Sequence, residues 1–265
     1  FALFAKLFGK KLVLHFHNKG VILKQNNLFD NFLYRIVFKK TKVILLSKLL
    51  YEDVKKYVIE EDAYYCPNGI PVVEYENSNT NANQPPELLF LSNLIESKGV
   101  FVLLDALRIL NNKKITFHCN FVGGEVDISS QQLKQRISEL NLEDIVTYHG
   151  KQFGGDKYRL FNRSDIFILP TFNECYPLVL LEAMQFNLPL ISTYEGAIPE
   201  IIDDNETGYL VEKKDSVDLA NKIQHLIENP SLRKSMGEKG REKFEKKYTL
   251  FHFEQNMTEI LTKIS

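Results

Sequence analysis

Cysteine is scarce in this sequence and its charges nearly cancel, and each shortage removes a class of function. The three cysteines, Cys66, Cys119 and Cys175, are scattered and odd in number, and no two form a C-x-x-C pair. They supply neither a disulfide framework nor a zinc site, and they fit a reducing, cytoplasmic compartment. A formal net charge of −1 gives no electrostatic footprint for nucleic acid. No apolar run reaches the roughly 18–20 residues that cross a bilayer. There is no internal repeat of short period, and compositional bias is confined to one polar stretch, ENSNTNANQPPE, from Glu76 to Glu87. What remains is ordinary globular sequence: 265 residues, 44% hydrophobic and 25% charged, enough for two domains of modest size.

The chain opens FALFAKLFGKKLVLHF. This has basic and apolar residues but no ordered n-region, h-region and cleavage site, so it is not read as a signal peptide. With Phe1 in place of Met, it reads as an internal start. Phe1–Phe8 is expected to form an amphipathic helix ending at Gly9, with its apolar stripe packed on the sheet of its domain. The alternative is a peripheral membrane contact, with Phe1, Leu3, Phe4, Leu7 and Phe8 beside Lys6, Lys10 and Lys11 at an anionic surface.

Apolar runs and helical periodicity then alternate. Strands are expected at Lys11–Phe16, Lys42–Leu46 and Ala63–Cys66, and helices at Phe29–Lys39 and Lys48–Val58. After the polar stretch come strands at Leu88–Leu91, Ile115–Val122, Ile145–His149, Asp165–Leu169, Leu188–Ile191 and Gly208–Val211. Helices are expected at Val100–Asn111, Ser130–Leu140, Asp156–Phe161, Leu178–Phe186 and Ser216–Glu228, from Pro230 toward Lys246, and at Leu250–Ile264. Such alternation indicates parallel α/β layers. The expected division is a first domain at 1–76, a linker at 77–87, a second domain at 88–249 and a C-terminal helix at 250–265. The first domain has only about three strands, few for a doubly wound unit.

The stretch from Asp165 to Glu200 organises the rest. It reads as strand, loop, helix and strand, a parallel crossover whose ligand site lies beyond the carboxyl ends of its strands. Two carboxylates fall there: Glu174 in the loop and Glu182 inside the apolar helix that follows Pro177. Glu is seldom buried without a partner, and PLVLLEAM leaves little solvent face, so Glu182 is expected to be buried or turned to a ligand. Carboxylates that accept hydroxyl protons, beside helix amides that bind phosphate, suit a polyhydroxylated ligand with an anionic part. Lys98 precedes Gly99 after another strand, where an ammonium can neutralise a diphosphate; a solvated surface lysine is the plain alternative. Gly123-Gly124 follows a third strand. His15 and His17 lie on one face of a strand end, and no third or fourth ligand stands at metal spacing. Ser47 and Asn68-Gly69 end other strands and could be a helix cap and a turn.

NECYPLVLLEAM, followed by LPLISTYEGAIPEII and GYLV, resembles the donor-site signature of retaining glycosyltransferases of family 4. The likeness runs over nearly the whole chain. It implies the GT-B architecture: two Rossmann-like, doubly wound parallel-sheet domains facing a cleft, here with the first half of the N-terminal domain missing. The last helix often crosses back to that domain. The resemblance also implies a metal-independent transfer, with retention, of a hexose-type sugar from a UDP- or GDP-linked donor to a glycan or lipid-linked acceptor, with no cofactor. Cell-surface polysaccharide assembly at the inner face of the membrane is the corresponding setting. It assigns Glu174 to donor-sugar hydroxyls, Glu182 to the ribose, Lys98 to the diphosphate and His17 to the sugar. Asn93 and the Gly123-Gly124 turn join the donor site, as do Cys175, Tyr176, Pro177 and Leu178. The region of His149-Gly150-Lys151 often borders the base.

Two places depart from the family pattern, Asn93 and the Cys175-Tyr176-Pro177 stretch. Asn93 stands where Arg is common, so Lys98 bears more of the electrostatic load. Cys175-Tyr176-Pro177 replaces a usual Gly-Phe-Gly; Pro177 removes one donor amide, while Cys175 and Tyr176 keep theirs. Other functions consistent with the sequence are a nucleotide-sugar epimerase of the same architecture and a non-catalytic nucleotide-sugar-binding protein. A glycosidase carboxylate pair is rejected, because Glu182 is assigned to a helix near the nucleotide.

Overall fold

The computed structural model describes residues 2–73 and 85–265. The chain divides into two compact units, one holding residues up to Pro71 together with Lys247–Ser265, the other Val72–Lys246. The first boundary falls at Pro71 rather than at residue 76. Residues 77–84 of the expected linker lie outside the described residues, and its last residue, Glu87, already begins a strand.

The first unit starts with α1 (Ala2–Leu7), β1 (Val13–Phe16), α2 (Val21–Lys24), α3 (Leu28–Phe38), β2 (Lys42–Leu45) and β3 (Ala63–Tyr65). Its three strands are parallel in the order β1-β2-β3. Phe38, Val43, Leu45, Val54 and Val58 form its core. The helix expected at Lys48–Val58 is a 3-10 turn over Lys48–Asp53 only. Leu50, Val54 and Val58 have helical spacing and are all buried, and beyond Asp53 only isolated turns remain, with the Lys55 amide on the Tyr51 carbonyl and the Val58 amide on that of Val54. Asp53 is taken up by tertiary contacts: its carboxylate accepts the amides of Gly20 and Ile22 at 3.0 Å and of Val21 at 3.1 Å, which fixes the start of α2. The expectation that α1 buries its apolar stripe is corrected. Phe4 and Leu7 in α1 and Phe8 just after it are 64%, 82% and 64% exposed, and the main packing partner of α1 is α3. Phe1 lies outside the described residues.

The second unit comprises β4 (Glu87–Leu91), α4 (Val100–Asn112), β5 (His118–Val122), α5 (Ser130–Glu139), β6 (Val146–Tyr148), α6 (Gly154–Arg163), β7 (Ile166–Ile168), α7 (Leu178–Gln185), β8 (Leu190–Thr193), α8 (Ile198–Ile201), β9 (Gly208–Val211), α9 (Ser216–Glu228) and α10 (Pro230–Lys247). Its strands are all parallel, in the order β6-β5-β4-β7-β8-β9. Helices cover such a sheet on both faces, which explains why its strands read as unbroken apolar runs: Leu88–Phe90 and Ile166–Ile168 are wholly buried.

Several strands are shorter than expected by a residue or so at an end, and in the second unit β5 and β8 begin later still. β5 begins at His118, not Ile115, because the Ile115 amide closes α4 on the Leu110 carbonyl. β8 begins at Leu190, since Leu188 bonds back to Ala183 and Pro189 has no amide to give. The chain ends with α11 (Leu250–Ile264), which belongs to the first unit, where Phe253 and Met257 pack on the cluster of Ile44, Cys66 and Ile260.

The strand order of the second unit reverses between β4 and β7, and crevices beyond the carboxyl ends of strands open at such a point. Here the backbones following the two strands touch. Gly99, with φ of 82°, leads into α4, and a Cβ at this position would stand 2.2 Å from the Pro170 carbonyl oxygen. Only glycine fits both the left-handed conformation and the close approach. A Gly99→Ala variant is expected to lose roughly 1–3 kcal/mol of stability, read as a lower urea midpoint for the second unit with unchanged slope. A midpoint equal to wild type would remove the close approach from the account.

Candidate active site

The loops after β4 and β7 are tied to each other before they carry any side chain to a ligand. The Ser97 carbonyl accepts the Phe172 amide at 2.8 Å and the buried Thr171 hydroxyl at 2.9 Å. The Thr171 carbonyl in turn accepts the Thr193 hydroxyl from the end of β8 at 2.5 Å. These bonds bring Lys98 and Glu174, 76 residues apart, into a direct ion pair between Nζ and Oε1. Their side chains are 18% and 20% exposed, so each neutralises the other in a half-dry setting.

Asn93 holds the turn after β5. Its Oδ1 accepts the Gly124 amide at 3.3 Å, and the Leu94 amide donates to the Gly124 carbonyl at 2.7 Å. Gly123 is braced from the β6 side, donating to the Gly150 carbonyl at 2.9 Å and accepting the Tyr148 hydroxyl at 2.8 Å. The structure therefore joins Asn93, Gly123 and Gly124 in one hydrogen-bonded turn.

Of the two loop amides expected to remain, that of Cys175 already has a partner. The Cys175 amide donates to Oε2 of Glu174 at 3.0 Å, so it is engaged inside the protein and holds that carboxylate. The Cys175 carbonyl accepts the Ala197 amide at 2.8 Å. Pro177 is the cap residue before α7 and not its first helical residue, Leu178 opens the helix, and Tyr176 is buried. Beneath this loop lies Gly196, with φ of 55°, where a Cβ would stand 2.5 Å from the Glu174 carbonyl and 2.6 Å from that of Cys175. The three cysteines form no disulfide. Burial pushes the Cys66 thiol up to about 11 and raises Cys119 further, which leaves both inert.

Glu182 is neither solvated nor fully buried. On α7, among buried Leu181 and Ala183, its side chain is 24% exposed and its Oε1 lies 2.8 Å from Lys157 Nζ on α6. Each of the two predicted carboxylates thus has a lysine of its own. Sequence reasoning passed over Lys157, which sits in a polar helix with no spacing signal. It also passed over Glu195, 5% exposed at the end of β8, with its Oε1 3.4 Å from the Glu174 amide and its Oε2 2.8 Å from Lys213.

In the first unit, His15 and His17 face each other, Nδ1 to Nε2, at 3.2 Å. Burial, then the neighbouring His17, holds His15 below the ordinary histidine value, and its ring stacks on Phe253. His17 is exposed. Ser47 is a cap, its hydroxyl accepting the Leu49 amide at 3.0 Å. Among the described residues no cluster of His, Cys, Asp or Glu could hold a metal ion, and no helix is long and apolar enough to cross a membrane.

A polar chain centred on buried Asn120 runs beneath the β5–β6 side and reaches the surface at Arg163. Asn120 donates from Nδ2 to Glu87 Oε2 at 2.5 Å, and its Oδ1 faces Arg163 Nη2 at 3.1 Å and His149 Nε2 at 2.7 Å. Arginine can only donate and an ionised glutamate only accept, which fixes the orientation of the amide. His149 must then donate from Nε2. Burial, then Arg163 and His118, lowers its pKa, while Glu87 opposes them. The unfolded value is about 6.5, so this histidine adds stability that is complete above that pH and is lost as pH falls toward the folded pKa. A nuclear magnetic resonance titration is expected to place His149 below 6.5 and, in Glu87→Gln, lower still; a value at or above 6.5 would contradict the network.

The family model described as glycosyl transferases group 1 matches residues 71–243. An uncharacterized glycosyltransferase of Methanocaldococcus jannaschii, MJ1178, is 28% identical over 89% of this chain and 64% of its own. The amylovoran biosynthesis glycosyltransferase AmsK of Erwinia amylovora is 34% identical over 52% of this chain and 35% of its own. The chain therefore spans less than two thirds of the length of these relatives. The crystal structure of Anabaena Alr3699/HepE in complex with UDP superposes with a TM-score of 0.85 at 20% identity, covering 99% of this chain and 75% of that one; the same protein is also known in complex with UDP-glucose. At that identity the likeness shows the fold, which is that of the GT-B glycosyltransferases. With the family model covering well over half of its length, the chain belongs to the glycosyl transferases group 1 family.

Proposed function

We propose that the protein transfers a sugar, with retention at the anomeric carbon, from a nucleotide-diphosphate donor to a glycan or lipid-linked acceptor in polysaccharide assembly. The observation that carries this reading is the meeting of Lys98 and Glu174 where the strand order reverses. A cation for the diphosphate and a carboxylate for sugar hydroxyls stand side by side there. The UDP and UDP-glucose complexes of HepE support a nucleotide-sugar donor. The names of AmsK and of the capsular polysaccharide biosynthesis glycosyltransferase CapM of Staphylococcus aureus support the setting.

Each residue has one task in this reading. The diphosphate competes for Lys98 and draws it from Glu174. Glu174, kept in place by the Cys175 amide, then accepts hydroxyls of the donor sugar. A half-dry carboxylate that loses its cation needs new partners, so a nucleotide without a sugar satisfies only part of the exchange. As the leaving diphosphate gains charge, Lys98 and the first amides of α7, from Leu178 onward, stabilise it. The acceptor's proton passes to the leaving diphosphate on the same face. Lys98 supplies positive charge that a divalent cation would otherwise bring, and no metal is required. Glu182 binds the ribose with the oxygen that Lys157 leaves open. Asn93 and the Gly123-Gly124 turn shape the nucleotide side. His17 enters only through the family resemblance, as a contact to the sugar.

Calorimetric titration of UDP, GDP and ADP is expected to show binding of one nucleotide, unchanged by EDTA. Glu182→Ala should weaken it roughly tenfold to a hundredfold, the range for one charge-assisted hydrogen bond. Undiminished binding by Glu182→Ala would refute the ribose assignment, and loss of binding on adding EDTA would refute metal independence.

A further inference from the structure

Glu195 is the most buried carboxylate around the β7–β8 loops, at 5% exposure. A carboxylate in that position is costly unless its charge is balanced. Here Lys213, from the turn after β9, reaches Oε2 at 2.8 Å, while Oε1 faces the Glu174 amide at 3.4 Å. The next residue, Gly196, lies directly against the Glu174 and Cys175 carbonyls, and the Ala197 amide bonds to the latter at 2.8 Å. Three consecutive residues therefore grip the backbone of Glu174-Cys175 from below.

The turn after β9 holds the same loop at a second point. Lys214, in the left-handed region with φ of 66°, places its ammonium 4.4 Å from the centre of the Phe172 ring. Neighbouring lysines thus reach two parts of one loop, Lys214 directly and Lys213 through Glu195. The result is a line of two ion pairs, Lys98 with Glu174 and Lys213 with Glu195, joined through the Glu174 amide. In it Glu174 touches Lys98 through its side chain and Glu195 through its main chain.

We propose that Glu195, locked by Lys213, is a positioning residue for Glu174. It fixes the loop backbone so that the Glu174 carboxylate keeps its aim at the donor sugar when Lys98 turns to the diphosphate. This rests on the donor-site reading above and adds residues to it. Glu195 touches no part of the donor. Its loss affects recognition of the sugar and leaves recognition of the nucleotide, which is assigned to Glu182 and the β4–β5 side, in place.

The test compares, by calorimetry, the affinity for a nucleotide sugar with that for its nucleotide. The probes are UDP-glucose against UDP, and GDP-mannose against GDP. Proteins are wild type, Glu195→Gln, Lys213→Met and Lys213→Arg, with Glu174→Gln as the control that removes the sugar contact itself. Wild type is expected to prefer one sugar nucleotide over its nucleotide. Glu195→Gln and Lys213→Met should lose most of that preference, roughly tenfold, with nucleotide affinity within about twofold of wild type. Lys213→Arg, which keeps the charge, should restore it. A preference retained in both Glu195→Gln and Lys213→Met, while Glu174→Gln abolishes it, overturns this inference and leaves the donor-site reading standing. Equal loss of nucleotide and sugar-nucleotide affinity marks a purely structural role and also overturns it. A wild type with no preference in either series overturns the donor-site reading, and this inference with it.

Discussion

Lys98 and Glu174 meet because the backbones that carry them already touch. In a parallel sheet, neighbouring crossovers leave in opposite directions where the strand order reverses, and the gap between them must be closed by something. In the second unit it is closed by main chain and threonine hydroxyls: Gly99 against Pro170, the Ser97 carbonyl accepting the Phe172 amide and the Thr171 hydroxyl, and the Thr171 carbonyl accepting the Thr193 hydroxyl. Side chains on loops this constrained lose little further freedom when they bind, which is what a preorganised site requires.

The ionic groups follow one rule. Glu174, Glu182 and Glu195 are each partly or largely buried, and each has a lysine. A half-buried pair adds little net stability, but removing one partner leaves a poorly solvated charge. That asymmetry suits a site working by exchange. In the proposed function a polyanionic ligand is attracted to the lysine, and the released carboxylate draws in hydroxyl groups. On the proposed reading, the same desolvation that makes the ion pairs form without ligand makes a nucleotide sugar a better occupant than a nucleotide.

Much of this was legible in the sequence, for identifiable reasons. The strands of the second unit are buried on both faces and read as apolar runs, and long periodic helices such as α4 and α9 announced themselves. The strand-end positions of Lys98, Glu174 and Gly123-Gly124 followed from those elements. What escaped was tertiary. The Leu50, Val54 and Val58 spacing imitated a helix, and Asp53 was taken by the amides of Gly20–Ile22. The apolar spacing of Phe4, Leu7 and Phe8 implied burial that the structure does not supply. Asn120, in the middle of an apolar strand, gave no sign of the network joining Glu87, Arg163 and His149. Glu195 and Lys157 became visible only when the partners that neutralise them were in place, since sequence spacing carries no information about contacts between separate crossovers.

The central claim is that the loops following β4, β5, β7 and β8 form one mechanical unit that receives the donor. Amide hydrogen exchange measured without ligand and with saturating UDP-glucose, or GDP-mannose if that is the donor bound, tests it most directly. The account predicts that residues 92–99, 123–125, 171–178 and 193–197 gain protection together and at the same ligand concentration. Protection confined to one of these loops, or appearing in the second unit only away from them, would contradict it.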